Sequence, residues 1–369
     1  MSSPPASSPK LSSLEAVRAI AAVLVVLMHA THLMRVPQFS GHVGLGGLFD
    51  FGYVGVDVFF VLSGFIITYV HHGELGGGAS HWREFLWKRF VRIFPIYWLV
   101  LALSVLPSLL SRLASGRRPL IDMGLDALPG TLLLWIGGGL PEIVGVAWSL
   151  QFEILFYLSF CVLLLHVGLG LTLYAAWAAL SVAQAYGVLH SPLPLSLGDP
   201  MCLEFLLGVA AGLIARRAPL FTLPGQGLLV AAALVAAVVY ERIGPQGTHA
   251  FGGRVALGLA VAALILTLVA WERHRPARLP RPLAALGATS YSLYLSHCLL
   301  INIALAALAK VGLYRLLPEL VLFLVAMTVA LVGGWALGRW VELPVVAWLR
   351  RQYSARAPGR TSPQGTATA

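Results

Sequence analysis

Apolar residues in this chain come in long runs separated by short polar loops. Runs near 14–34, 52–71, 93–111, 148–167, 169–188, 200–215, 225–241, 253–271, 284–308 and 316–341 approach or exceed the roughly 18 residues that cross a bilayer as a helix. They lack the two-residue alternation of a transmembrane barrel. The pattern predicts an all-α, polytopic transmembrane helical bundle of about ten spans. One further run, 125–139, is short, interrupted by Pro129 and ends in glycines, and reads as a re-entrant or interfacial segment. Residues 1–10 and 354–369 are rich in Ser, Pro, Gly and Ala and are expected to be disordered tails. That leaves 11–353 as one membrane domain, with no internal repeat in view.

The polar positions inside these runs matter most, because an ionisable side chain at membrane depth is costly and marks function by default. In the first run Arg18 and His29 are eleven positions apart, so they leave one helix face about 16 Å apart along the axis. With Arg18 at a headgroup boundary, His29 lies near mid-membrane, as a working group or as a histidine hydrogen-bonded inside the bundle. In the second run Asp57, Val61, Gly64 and Thr68 make one stripe of small and polar residues. Asp57 either orients a histidine on a neighbouring helix or is interfacial. Before the third run, Arg89 and Arg92 share a face, as a fork for phosphates or as simple anchors. Ser149, Glu153 and Tyr157 follow i, i+4, i+8 spacing, and His29, Arg35 or a substrate hydroxyl are candidate partners of Glu153. Ser290, Tyr294 and His297 form another polar stripe. Several such stripes point to a cavity that handles a polar substrate.

Composition agrees: 58% hydrophobic, 11% charged, mean hydropathy +0.83. The net charge of +10 lies mostly in loops and the C-terminal tail, as the positive-inside bias requires, and so implies no nucleic acid partner. That bias favours ten spans with both termini cytoplasmic, although Arg112, Arg117 and Arg118 then fall outside. Cys161, Cys202 and Cys298 sit in apolar runs without metal-ligand spacing, so no metal is expected and the cysteines read as buried hydrophobes. No cleavable signal peptide is expected before Leu11.

The segments LEAVRAIAAVLVVLMHA, GYVGVDVFFVLSGFIIT, WKRFVRIFPIYW, AWSLQFEILFYL and SYSLYLSH, in this order, resemble the acyltransferase 3 family of integral membrane O-acyltransferases. Arg18 and His29 match that family's arginine–ten residues–histidine motif, and Arg89 and Arg92 its R-x-x-R. Trp148, Ser149, Leu150 and Glu153 match its tryptophan–serine–leucine with a following glutamate. The resemblance implies transfer of an acyl group, usually acetyl, from cytoplasmic acyl-CoA to a hydroxyl of a carbohydrate or lipid-linked glycan at a bacterial inner membrane. The compact form resembles enzymes that decorate exopolysaccharide, and relatives that modify macrolides or Nod factors share the motifs. His29 is then the general base or carries the acyl group itself, with Glu153 and Asp57 as further catalytic candidates. Arg18, Arg89 and Arg92 would hold CoA phosphates, and Trp148, Ser149, Tyr157, Tyr294 and His297 would face substrate. The competing reading, a transporter or flippase for a glycan or small acid, draws on the same polar stripes but finds no pair of matched broken helices.

Overall fold

The structure is a computed structural model that describes residues 11–36, 39, 43–114, 128–135, 143–189, 198–243, 251–275 and 279–356. Hydrocarbon offers no partner for backbone N–H and C=O groups, so each apolar run closes its own hydrogen-bond ladder. The result is α1 (Ser12–His32), α2 (Val54–His71), α3 (Ala79–Ala114), α4 (Leu128–Leu133), α5 (Trp148–Leu165), α6 (Val167–Ala185) and α7 (Met201–Arg217). After them come α8 (Gln226–Ile243), α9 (Phe251–His274), α10 (Arg281–Ala288), α11 (Ser290–Lys310), α12 (Glu319–Leu337) and α13 (Leu343–Arg356). Among the described residues nine helical stretches are long and apolar enough to cross a bilayer. The tenth expected span, α7, is shorter at 17 residues and lies against α2 in the middle of the bundle.

Glycines set how closely these helices approach. A Cβ on Gly64 would strike the Phe205 carbonyl, and one on Gly208 would strike the Val61 carbonyl, so α2 and α7 touch backbone to backbone. Gly52 and Gly55 meet the Leu24 and Ala21 carbonyls of α1 in the same way. The face that α1 turns inward is correspondingly small, with Ala19, Ala22 and Ala30 fully buried. Outer helices reverse this logic. On α8, Leu228, Leu229 and Val235 are 64–77% exposed, an apolar surface suited to lipid tails and not to water.

Contacts sort the loops onto two ends. The backbone N–H groups of Ser12 and Ser13 donate to Glu272 (2.6 and 3.0 Å), Arg216 Nε donates to the Tyr69 carbonyl (2.7 Å), and Arg273 donates to the Ala215 carbonyl. Gly76 N–H reaches the Leu163 carbonyl at 3.3 Å. This end gathers the start of α1 with Arg83, Lys88, Arg216, Arg217, Arg273 and Arg275. At the opposite end His32 meets Asp50 (2.7 Å), Arg242 approaches Asp50 (3.9 Å), and Leu45 N–H donates to Glu319 (2.9 Å).

Three expected boundaries move. The third span starts at Ala79 and not near 93, because Trp82 to Arg92 continue the helix past the hydrocarbon; at 36 residues α3 is about 54 Å long. The run 284–308 breaks at Thr289 into the short α10 and α11. The last run continues through a π-turn at Gly338–Glu342 into α13, which ends at Arg356. That turn falls just before Pro344, whose ring lacks the N–H for a regular i−4 bond. Of the run 125–139, residues 128–135 are described. There α4 is six residues long and tied at both sides: Tyr97 OH and Trp98 Nε1 donate to the Thr131 and Leu132 carbonyls (2.6 and 2.8 Å), and Gln151 donates to the Trp135 carbonyl (3.1 Å). Residues 1–10 and 357–369 of the expected tails, Arg117, Arg118 and Arg278 lie outside the described residues.

Candidate active site

Among the described residues, two neighbouring chambers within the bundle are both walled in part by Val56 of α2 and Tyr294 of α11. The first lies towards the arginine-rich end and is lined by Arg18, Arg89, Arg92, Glu153, Tyr157 and Tyr291 among others. The second lies towards the opposite end and is lined by His29, His32, Asp50, Asp57, Trp148, Arg242 and Arg254 among others. Between them Tyr294 is fixed by a 2.8 Å hydrogen bond between its hydroxyl and that of Ser149, which itself donates to the Val146 carbonyl (2.9 Å).

The first chamber brings together the three arginines that sequence spacing singled out, from α1 and from one face of α3. Arg89 lies over the rings of Phe85 (5.2 Å) and Tyr157 (5.6 Å), which hold its guanidinium plane by cation–π contact. Tyr157 OH donates to Glu153, and Ser63 Oγ approaches the same carboxylate at 3.5 Å. Glu342 of the π-turn, within electrostatic reach of Arg18 and Arg92, accepts from Ser292 N–H (3.2 Å) and Ser292 Oγ (2.7 Å). Three guanidiniums face two carboxylates here. The residual positive charge in a low-dielectric cavity suits an anion with several oxygens.

In the second chamber His29 Nδ1–H donates to the Val25 carbonyl one turn earlier (2.9 Å), which leaves Nε2 of the neutral ring as the proton acceptor. The His297 ring packs edge-on against His29 with centroids 4.8 Å apart, and His297 Nδ1–H likewise donates to a backbone carbonyl, that of Tyr294 (2.6 Å). Cys298 Sγ lies 3.4 Å from His297 Nε2. One donor atom from each of His29, His297 and Cys298 falls within 4.8 Å of the others. Linear spacing showed no Cys/His cluster; folding brings these three donors together by crossing α1 over α11.

Two further expectations change. Asp57 does not orient a histidine. Its Oδ1 is 2.7 Å from Arg254 Nη1 of α9, with Glu204 of α7 3.8 Å from the same nitrogen, and all three are buried. A desolvated carboxylate needs a cation more than it needs an imidazole, and α9 supplies one. Glu153 does not meet His29 or Arg35 either. Because Ser149, one residue into α5, already sits at the Tyr294 partition, Glu153 one turn further faces the arginines of the first chamber. The other predicted residues divide between the chambers: Trp148 beside His29, Ser149 and Tyr294 at the partition, Tyr157 with the arginines, and His297 buried against His29.

Sequence reasoning missed Glu204, Arg254, Tyr291 and Glu342. Glu204 and Arg254 carried the same signal as Asp57, a charged side chain inside an apolar run, whereas Glu342 falls one residue past the end of the run 316–341. Tyr291, whose hydroxyl donates to the Ile93 carbonyl (2.8 Å), carried none.

Comparison with known proteins places this arrangement. The acyltransferase-domain family model matches residues 11–339. The chain is 29% identical to the exopolysaccharide production protein ExoZ of Rhizobium meliloti, over 73% of this chain and 81% of that one. It is 27% identical to the acyltransferase MdmB of Streptomyces mycarofaciens over 95% of both chains. A third relative, protein 2 in the picA locus of Rhizobium radiobacter, is 30% identical over 38% of this chain. No solved structure matches.

Proposed function

The chain belongs to this acyltransferase family, and we propose that it moves an acyl group, acetyl in the simplest case, from cytoplasmic acyl-CoA to a hydroxyl of an exported glycan. One observation carries the reading: two chambers opening towards opposite ends share the Val56–Tyr294 partition, with an arginine trio on one side and an unprotonated imidazole nitrogen on the other. The arginine-rich end is assigned to the cytoplasm of a bacterial inner membrane by the positive-inside bias, which puts both termini there. Similarity to a relative whose name is tied to exopolysaccharide production supports a glycan as acceptor.

In this reading Arg18, Arg89 and Arg92 grip CoA phosphates as charge-assisted forks, each worth about 1.5–3 kcal/mol in good geometry. Glu153 and Tyr157 keep the guanidiniums in place instead of acting on the hydroxyl. The thioester then lies at the partition, and the acceptor hydroxyl approaches from the second chamber, where Trp148 and Tyr53 offer flat faces to a sugar. His29 Nε2 takes the hydroxyl proton as the oxygen attacks the thioester carbonyl. The tetrahedral intermediate collapses, the C–S bond breaks, and the CoA thiolate recovers the proton from His29. The test is reconstitution in vesicles with acetyl-CoA and purified exopolysaccharide, followed by mass spectrometry of the glycan. Acyl gain that requires the protein is the expected result; a glycan unchanged in mass while acetyl-CoA persists would sink the reading.

A further inference from the structure

We infer that His29, His297 and Cys298 form a binding site for a thiophilic divalent cation of the zinc class. The inference that its occupancy stops acyl transfer rests on the base role given to His29 above. Two imidazole nitrogens and one thiolate are a borderline-soft donor set, which favours zinc over magnesium or calcium. Three protein ligands leave a fourth position open, as in catalytic zinc sites.

Geometry carries the argument further than donor type. The three donor atoms lie within 4.8 Å of one another. Tetrahedral ligation at ordinary Zn–N and Zn–S lengths needs separations of roughly 3.3–3.6 Å, a closure within reach of side-chain rotation. The His297–Cys298 pair, at 3.4 Å, is already there. Orientation is set as well. Both histidines commit Nδ1–H to a backbone carbonyl, Val25 for one and Tyr294 for the other, so each Nε2 carries its lone pair, and that of His297 accepts the Cys298 S–H that a metal would displace. Metal-ligating histidines are held in the same way by an outer-shell acceptor on the second nitrogen. The helices themselves are well packed: His297 is fully buried, and the alanine face of α1 fixes the position of His29. A route exists too. His29 lines the second chamber, which is lined at its outer side by Asp50 and His32 and gives solutes access to the imidazole.

Binding replaces the Cys298 S–H bond by a sulfur–metal bond and releases one proton to water through that chamber. It also occupies the Nε2 lone pair that the hydroxyl proton needs, so a bound cation and an accepted proton exclude each other at His29.

Purified full-length protein in detergent would be titrated with Cd2+, following the ultraviolet thiolate-to-metal charge-transfer band, and Zn2+ would then compete for the site. We expect saturation at one equivalent, loss of the band in Cys298→Ser, and its retention in Cys161→Ser. Cys298→Ser is nearly isosteric, which keeps the test independent of whether His297 variants fold. Zn2+ affinity should fall in Cys298→Ser by at least the roughly 10- to 100-fold typical of losing an outer-shell partner. Absence of the band from the parent protein, or its survival in Cys298→Ser, overturns the site. Acyl transfer measured alongside separates the two readings. A band with transfer unaffected by stoichiometric Zn2+ supports the site and removes His29 from the base role. No band, with transfer indifferent to Zn2+, overturns the site and leaves the base role standing.

Discussion

Replacing Arg89 and Arg92 together by lysine separates a phosphate fork from a mere membrane anchor. Both side chains line the first chamber, and the Arg89 guanidinium lies over Phe85 and Tyr157 at 5.2 and 5.6 Å. Lysine keeps the charge that anchoring needs, but it loses the two parallel N–H donors and the planar surface that lies over the rings. Full loss of one charge-assisted contact costs about 1.5–3 kcal/mol. Lysine retains part of each, so the double variant should lose about 1–3 kcal/mol of acyl-CoA binding in total. That range corresponds to roughly 5- to 150-fold in apparent acyl-CoA affinity. The assay is the initial rate of acetyl transfer against acetyl-CoA concentration at saturating acceptor, repeated against acceptor at saturating acetyl-CoA. The acyl-CoA dependence should move and the acceptor dependence should hold, because acceptor binds beyond the Tyr294 partition. Identical acyl-CoA dependence in parent and double variant would return both arginines to the role of anchors. A loss shared equally by donor and acceptor would instead mean that the bundle itself had shifted.

His29→Ala should lose transfer by at least the roughly 10²- to 10⁴-fold contributed by a general base, with its melting temperature in detergent near the parent value; retained glycan acylation would take His29 out of the mechanism. Arg254→Ala strips Asp57 and Glu204 of a buried cation and should destabilise the protein by about 3–5 kcal/mol, measured by chemical denaturation in mixed micelles. Adding Asp57→Asn and Glu204→Gln should restore most of that loss, and a triple variant weaker than the single one would refute the account. For orientation, Leu48→Cys and Phe221→Cys place thiols at the two ends, on residues 64% and 73% exposed. An impermeant thiol reagent on intact cells should label the first and spare the second, and the reverse pattern would invert the topology.

Helix geometry is local, and whatever depends on it could be read from the chain. The apolar runs gave the helices because a backbone in hydrocarbon has no other way to satisfy its polar groups. Spacing put Arg89 with Arg92, and Ser149 with Glu153 and Tyr157, on common faces, and the structure keeps those faces. Spacing also placed Arg18 and His29 on one side of α1, although they open into different chambers. Boundaries were less legible: α3 begins at Ala79 because charged and aromatic residues prolong a helix beyond the apolar stretch that hydropathy detects.

Only the tertiary structure decided partnership. Asp57 looked equally able to serve a histidine until α9 delivered Arg254 beside it, 197 residues away. Glu153 joined the arginines because α5 begins at the Tyr294 partition, a depth its own residues do not encode. Cys298 has only His297 beside it in the sequence, and the fold brings His29 to that pair. A side chain's face repeats every 3.6 residues and is fixed by its own helix, whereas its neighbour across the interface depends on where glycines such as Gly64 and Gly208 let two backbones touch, and that depends on both helices at once.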